Sequence, residues 1–545
     1  MSTIPSQEPV GRLSYGEDTK SPEFQEATVD AEAAESAFPV YVKTHDIFDG
    51  EEDAVDPVYQ AKARILNAAF QEIGMGKYQW WLFFVGGFGW FTDNAWPCIT
   101  GLIINPVTLE FVGFKGPFLI LAQSIGLLVG AVFWGVGCDI WGRRWSFNLT
   151  LIITAIFAIS AGGAPTPIAL CALIATWNIG VGGNLPVDSA VFLEFVPASH
   201  QWLLTVLSIW WAVGQLVASL VAWPFIANFS CPPGSACTRA ENMGWRYFLW
   251  TMGALMVVLF VLRFFVFEMY ESPRYLVGRG RDAEAVEVVH KVARFNGKKS
   301  SLTVEMFAAV DGVTSVTKGE KARQLDTSVR GALARKLSVV DTSHVKALFV
   351  TRKMAYSTSL LIVLWAFIGL AFPLYNGFVT VFLQTRGADF GDGSLYITYR
   401  NQVILSVMGI PGALLAGWMV ERRYLGRKGT LAVSTALTGV FLFASTTART
   451  SDALLGWNCG YTFTNNVMYG TLYAVSPEIF PAKDRGTGNA LVAASNRVFG
   501  IMAPIIALYA DLSTPIPIYV SGALFIVSGL IALLLPFEPR GRASV

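Results

Sequence analysis

Histidine is almost missing from this 545-residue sequence, with 4 copies, and only His200 stands beside a long apolar run. That excludes a histidine proton relay inside the apolar segments. Cysteine is also thin: six scattered copies show none of the spacings that hold a metal. Charged residues make up 14% against 53% apolar, which is too apolar for an ordinary soluble protein. A formal net charge of +1 offers no basic footprint, so no nucleic acid partner is expected. No catalytic constellation marks an enzyme, no repeat resembles a channel filter, and no cofactor is implied.

What the chain has instead is long apolar runs. Crossing a hydrocarbon core of roughly 30 Å takes about 20 apolar residues as helix. Twelve such runs begin near Tyr78, Gly116, Trp145, Ile168, Trp202, Arg246, Tyr356, Asn401, Thr430, Ala453, Asn489 and Pro515. The expected fold is an all-α membrane protein with twelve transmembrane helices in two six-helix halves.

Residues 1 to 57 carry 14 acids against 3 Lys or Arg, a net of −11, so the remainder carries +12. They read as a disordered acidic cytoplasmic tail, followed by a short interfacial helix over residues 58 to 73. Cations gather in alternate loops, at 143 to 144, 274 to 353, 422 to 428, 483 to 485 and 540 to 542. The positive-inside rule puts these loops and both termini in the cytoplasm. The domain reading is an N-terminal half over 58–273, a cytoplasmic central loop over 274–353, a C-terminal half over 354–537, and a short tail over 538–545.

The two halves are visible as a repeated charged hairpin. The stretch GVGCDIWGRR, Gly135 to Arg144, returns as GWMVERRYLGRK, Gly417 to Lys428. Gly142 precedes Glu194 by 52 residues, and Gly426 precedes Glu478 by the same 52. From Glu194 to Glu271 is 77 residues and from Glu478 to Glu538 is 60, the excess falling in a loop that carries Cys231 and Cys237. Two parallel halves predict a substrate site at their interface, near the bilayer midplane.

At these residues the chain resembles the major facilitator superfamily over roughly residues 70 to 542. The hairpins, the ESPR at Glu271 and the PEIFPAKDRGTG at Pro477 together resemble its sugar-porter-like branch. The entry GMGKYQWWLF and the acid of the first span look most like synaptic vesicle glycoprotein 2 relatives and organic-ion or nicotinate carriers, in a fungal version. The chain departs from sugar porters in three places: Ile140 follows the hairpin acid, Ile174 stands near the place of a usual arginine, and span seven lacks paired glutamines. The resemblance implies a secondary active transporter of a small organic solute working by alternating access, proton-coupled, with an organic acid or aromatic metabolite favoured. A sugar transporter of the same fold is the alternative, and a non-transporting sensor the second. A monomer in the lipid bilayer is implied, multi-pass and favoured in the plasma membrane.

Charges shared by both halves are architectural on this reading. The resemblance makes Asp139, Arg143, Arg144, Glu194, Arg274, Glu421, Arg427, Lys428, Glu478 and Arg485 a cytoplasmic gate. Charges without a counterpart 284 residues away are the functional candidates. Asp93 and Asp188, on spans that the resemblance sets beside the cavity, are proposed for proton coupling, Arg497 for substrate, and Arg263, at a depth similar to Asp188, as a structural partner of Asp188 or Glu194. Asn178, Gln215, Tyr375, Asn376, Asn466 and Tyr469 add amide and aromatic groups suited to a small polar or ring-bearing solute. Cys231 and Cys237 form either an outer disulfide or two free thiols, and Asn228 begins a glycosylation sequon.

Overall fold

The computed structural model describes residues 57–200, 203–232, 237–317, 345–346, 348–391, 393–420, 425–480, 485–510 and 514–536. Every regular element among them is helical. The tail expected over 1–57 lies almost wholly outside the described residues, as do Glu421 and residues 538–545.

The N-terminal half opens with α1 (Pro57–Ile73) and α2 (Lys77–Leu102), then a short α3 (Ile104–Glu110). It continues with α4 (Pro117–Trp141), α5 (Arg143–Gly162), α6 (Pro167–Phe195), α7 (Leu203–Val206), α8 (Ile209–Phe229) and α9 (Gly244–Val261), the last running into a π turn at Leu262–Val266. In chain order the halves are joined by α10 (Pro273–Gly278), α11 (Asp282–Phe295) and α12 (Val304–Thr317); α12 falls in a separate small compact unit. The C-terminal half holds α13 (Arg352–Asn376), α14 (Val379–Asp389), α15 (Leu395–Val420), α16 (Gly426–Thr446), α17 (Ser451–Ile479), α18 (Arg485–Tyr509) and α19 (Ile516–Leu534).

Ten of the described helices are apolar and long enough to cross a membrane. The remaining two candidates, α2 and α17, have 26 and 29 residues and interrupt their apolar runs with small and polar residues.

The 284-residue offset survives folding. Thr166 caps α6 by accepting from the Ala169 amide at 3.2 Å, and Thr450 caps α17 by accepting from Ala453 at 3.2 Å. A threonine oxygen there replaces a missing intrahelical partner. Both helices then run 29 residues, and their first and last residues are 284 apart. Packing repeats as well: α2 on α8, α4 on α6, α5 on α6 and α5 on α9 are matched by α13 on α18, α15 on α17, α16 on α17 and α16 on α19. The halves meet through α8 against α15 and α4 against α18, again a matched pair.

The bundle has two ends. At the hairpin end, where α4 turns into α5, Gly142 adopts φ +99°, a conformation that side chains strain against. A Cβ there would also come within 2.5 Å of Glu271. At the same end α1 turns its apolar face, Leu66, Ala69, Phe70 and Ile73, inward. It is tied to the central-loop helices rather than laid free on an interface: Lys62 pairs with Asp282 at 2.6 Å, and Lys298 donates to the Ile73 carbonyl at 2.5 Å. Asn296 joins α2 by donating to Gln79 at 2.8 Å and accepting from the Tyr78 amide at 2.9 Å.

At the far end, Cys231 and Cys237 form a disulfide with Cα atoms 5.8 Å apart. The Asn228 side chain donates to the Pro224 carbonyl at 2.8 Å.

Candidate functional site

Six helices leave a cavity of about 160 Å³ between the halves. From the N-terminal half, α2 contributes Asp93, Asn94 and Pro97, α4 contributes Gln123 and Ser124, and α8 contributes Trp211 and Gln215. The other wall is Phe372, Pro373 and Asn376 of α13, Asn465, Asn466, Tyr469 and Tyr473 of α17, and Asn496 with Arg497 of α18. Pro97 and Pro373 lie inside their helices, where a missing amide frees a backbone carbonyl next to the cavity.

Among the described residues, two charges face this space. Arg497 Nη2 lies 3.8 Å from Asp93 Oδ1, with Arg497 27% and Asp93 12% exposed. The remaining polar groups are neutral amides and hydroxyls. Asn94 is held by donating to the Trp211 carbonyl at 2.9 Å, and Asn466 by donating to its own helix at Thr462, 2.9 Å away.

Toward the hairpin end the cavity is floored by rings from both halves. Trp211 meets Trp90 with centroids 4.9 Å apart and Tyr473 at 4.8 Å, and Tyr473 meets Trp365 at 5.0 Å. Toward the far end the halves close on each other. Thr380 donates to the Gly101 carbonyl at 3.0 Å, Tyr399 donates to the Leu102 carbonyl, and a Cβ on Gly101 would stand 3.1 Å from the Gly377 carbonyl. The site is therefore a polar chamber with a closed far end and an aromatic floor.

Of the residues expected to bind substrate, Arg497, Gln215, Asn376, Asn466 and Tyr469 line the chamber. Asn178 and Tyr375 do not. Asn178 is buried and donates to the Ile174 carbonyl of its own helix at 2.8 Å, while Tyr375 is buried and donates to Asn458. A polar side chain in a span can be satisfied by its own helix or a neighbour, and its rotation about the helix axis decides which.

Asp188 also lies off the chamber. It is fully buried and paired with Arg263, whose guanidinium sits 3.1 Å over the Phe147 ring. Span four was expected beside the cavity, but α6 packs on α4 and α5, and close approach at Gly182, where a Cβ would reach 2.4 Å from the Leu127 carbonyl, seats it there.

The gate candidates gather at the hairpin end as far as they are described. Arg143 Nε pairs with Glu194 at 3.3 Å within the N-terminal half. Glu271 accepts from the amides of Arg143 at 2.8 Å and Arg144 at 3.4 Å, so a carboxylate caps the start of α5. Burial pushes the Glu271 carboxyl up despite these amides. Arg144 is exposed, and Arg274 donates to Asn67 on α1. Lys428 donates to the Leu535 carbonyl at 2.6 Å, and Arg427 stands in the first turn of α16. Glu421 lies outside the described residues, as do the side chains of Asp139, Glu478 and Arg485.

Sequence reasoning missed Gln123 and Asn496 on the chamber wall, although a lone amide in an apolar run is a usable signal. It also missed the role of Glu271, which depends on a contact 128 residues away.

Residues 118–542 match the family described as Sugar (and other) transporter. The chain is 63% identical to MFS siderochrome iron transporter 1 of Ceriporiopsis subvermispora, over 91% of this chain and 94% of that one. It is 41% identical to major facilitator-type transporter hxnZ of Emericella nidulans, over 89% and 88%. The proton:xylose symporter XylE has the same fold, with a TM-score of 0.61, 17% identity, and coverage of 84% of this chain and 96% of that one.

These findings correct one expectation. Identity falls to 26% with the niacin transporter NiaP of Acinetobacter baylyi and to 24% with the synaptic vesicle 2-related protein of Xenopus laevis, so the chain is not a relative of that group first. The features of α2 that suggested it are cavity and packing features. Gln79 binds Asn296, and Asp93 faces Arg497. With its matched halves, interior polar chamber and family-wide likeness, the chain belongs to the Sugar (and other) transporter family of the major facilitator superfamily, as a multi-pass secondary active transporter.

Proposed function

We propose that the protein is a proton-coupled transporter of a small, neutral, oxygen-rich solute, with a sugar-like polyol as the first candidate. The composition of the chamber carries this reading: one acid and one cation already face each other among uncharged amides, hydroxyls and rings. While Asp93 is ionised the paired cation offers little to an organic anion, whereas amides and aromatic faces suit hydroxyl groups and the apolar faces of a ring. This favours the sugar alternative over the organic acid or aromatic metabolite taken first from the sequence, and the family description supports the same preference.

Asp93 is the proton site on this reading, because it is the carboxylate open to the chamber. The moving bodies are the halves 58–273 and 354–537, and the cationic hairpin end faces the cytoplasm with both termini. Siderochrome-bound iron is a second reading, favoured by the 63% identity to a transporter of that name.

The test is uptake by the purified protein in proteoliposomes, with labelled D-glucose, a ferric siderochrome and benzoate compared with and without an inward acid gradient. Saturable, gradient-stimulated glucose uptake is the expected result. Uptake of the iron chelate alone selects the second reading, and uptake of benzoate alone contradicts the neutral-solute claim.

A further inference from the structure

Among the described residues, the buried ion pairs differ in what they join. Asp188 with Arg263 ties α6 to the end of α9, Glu110 with Arg246 ties α3 to α9, and Arg143 with Glu194 ties α5 to α6. Each of these lies within one half. Asp93 with Arg497 joins α2 to α18 and so crosses the interface at the chamber. It is also the loosest of the four at 3.8 Å, and both partners are partly open to the chamber.

We propose that Arg497 is the positioning residue of the proton step. It favours the ionised form of Asp93 across the interface, and a proton delivered from the acid side through the chamber onto Asp93 releases it, so that the halves exchange their closed ends. The inference rests on Asp93 being the proton site.

The charge arrangement gives the reason. A guanidinium stays protonated, and at this depth it needs a counter-charge. Asp188, the other acid against α2, faces Gly89 and is already held by Arg263. The groups that α17 and α8 turn toward the pair, Tyr469, Tyr473 and Trp211, are neutral. Neutralising Asp93 therefore leaves Arg497 without its partner and removes an attraction between the halves. A cross-half pair ties proton occupancy to the relation of the halves, which a pair inside one half does not.

The test needs no identified solute. In the full chain in nanodiscs, with Cys98, Cys138, Cys171 and Cys459 replaced by alanine, spin labels go on cysteines at Val112 and Tyr509. These positions are 93% and 89% exposed and belong to opposite halves. Electron–electron resonance then reads the interlabel distance at acid and neutral pH.

Acid is expected to lengthen the distance in the wild type. Asp93→Asn and Arg497→Gln should each lose the response, and Arg497→Lys should keep it. The double swap Asp93→Arg with Arg497→Asp should restore a pH-sensitive pair, which keeps the claim testable where a single variant folds poorly. An Arg497→Gln protein that responds like wild type, beside an unresponsive Asp93→Asn, overturns the role of Arg497 and leaves the proton site standing. A normal response in Asp93→Asn, or none in the wild type, overturns the proton site and this inference with it.

Discussion

Glu110 accepts from Arg246 through both Nη atoms at 2.7 Å each, from Trp245 at 3.0 Å and from Asn242 at 3.2 Å. Burial pushes its carboxyl up, but these donors and the Arg246 charge outweigh it and hold it below the usual carboxylate range. A lowered carboxyl contributes stability that is fully present above the ordinary glutamate range and is lost as pH falls through the lowered value. Removing either partner strands a buried charge, so Glu110→Ala and Arg246→Ala should each cost about 3–5 kcal/mol, and the double variant clearly less than their sum. Thermal unfolding in detergent at neutral pH checks this, and additive losses would show that the two residues are not coupled. The pair was hard to find in the sequence, where Glu110 sits in a loop and Arg246 opens a span. Asp93 and Arg497 stood out because neither has a counterpart 284 residues away. Asp188 stood out for the same reason, yet its side chain meets Arg263 instead of the chamber. Sequence tells that a span carries a charge, whereas helix rotation decides what the charge meets.

Among the elements, α6 and α17 are built alike: a threonine cap, 29 residues, and ends in register. Thr166→Ala and Thr450→Ala should each lower stability by about 1 kcal/mol through the lost cap. Serine at either position should recover most of it, and matched melting shifts in the two variants would show that the caps serve equivalent ends. Apolar runs marked all twelve long helices, but the same patterning undervalues α2 and α17, whose polar residues face the chamber. The apolar stripe of α1 was legible too, but not its partner: a stripe fits lipid or protein equally, and here Lys62 and Lys298 pin it to α11 and the turn after it.

At the scale of the whole molecule, four matched packing pairs within each half and two matched contacts between them make two similar bodies around one polar chamber. Such a pair of bodies can close one end while opening the other, and the far end is closed here by Thr380, Tyr399 and the approach of Gly101 to Gly377. The 52-residue spacings already implied two halves. The bridging of the interface by Asp93 and Arg497 was not legible, because it depends on which faces of α2 and α18 turn inward. The central claim is that a proton on Asp93 drives the cycle. The most direct test is gradient-driven accumulation in proteoliposomes of the solute that the uptake comparison identifies, for wild type and Asp93→Asn. The account predicts that the variant, expressed and folded normally, still equilibrates the solute but no longer concentrates it in response to an acid gradient. Accumulation by Asp93→Asn to the wild-type level would contradict it.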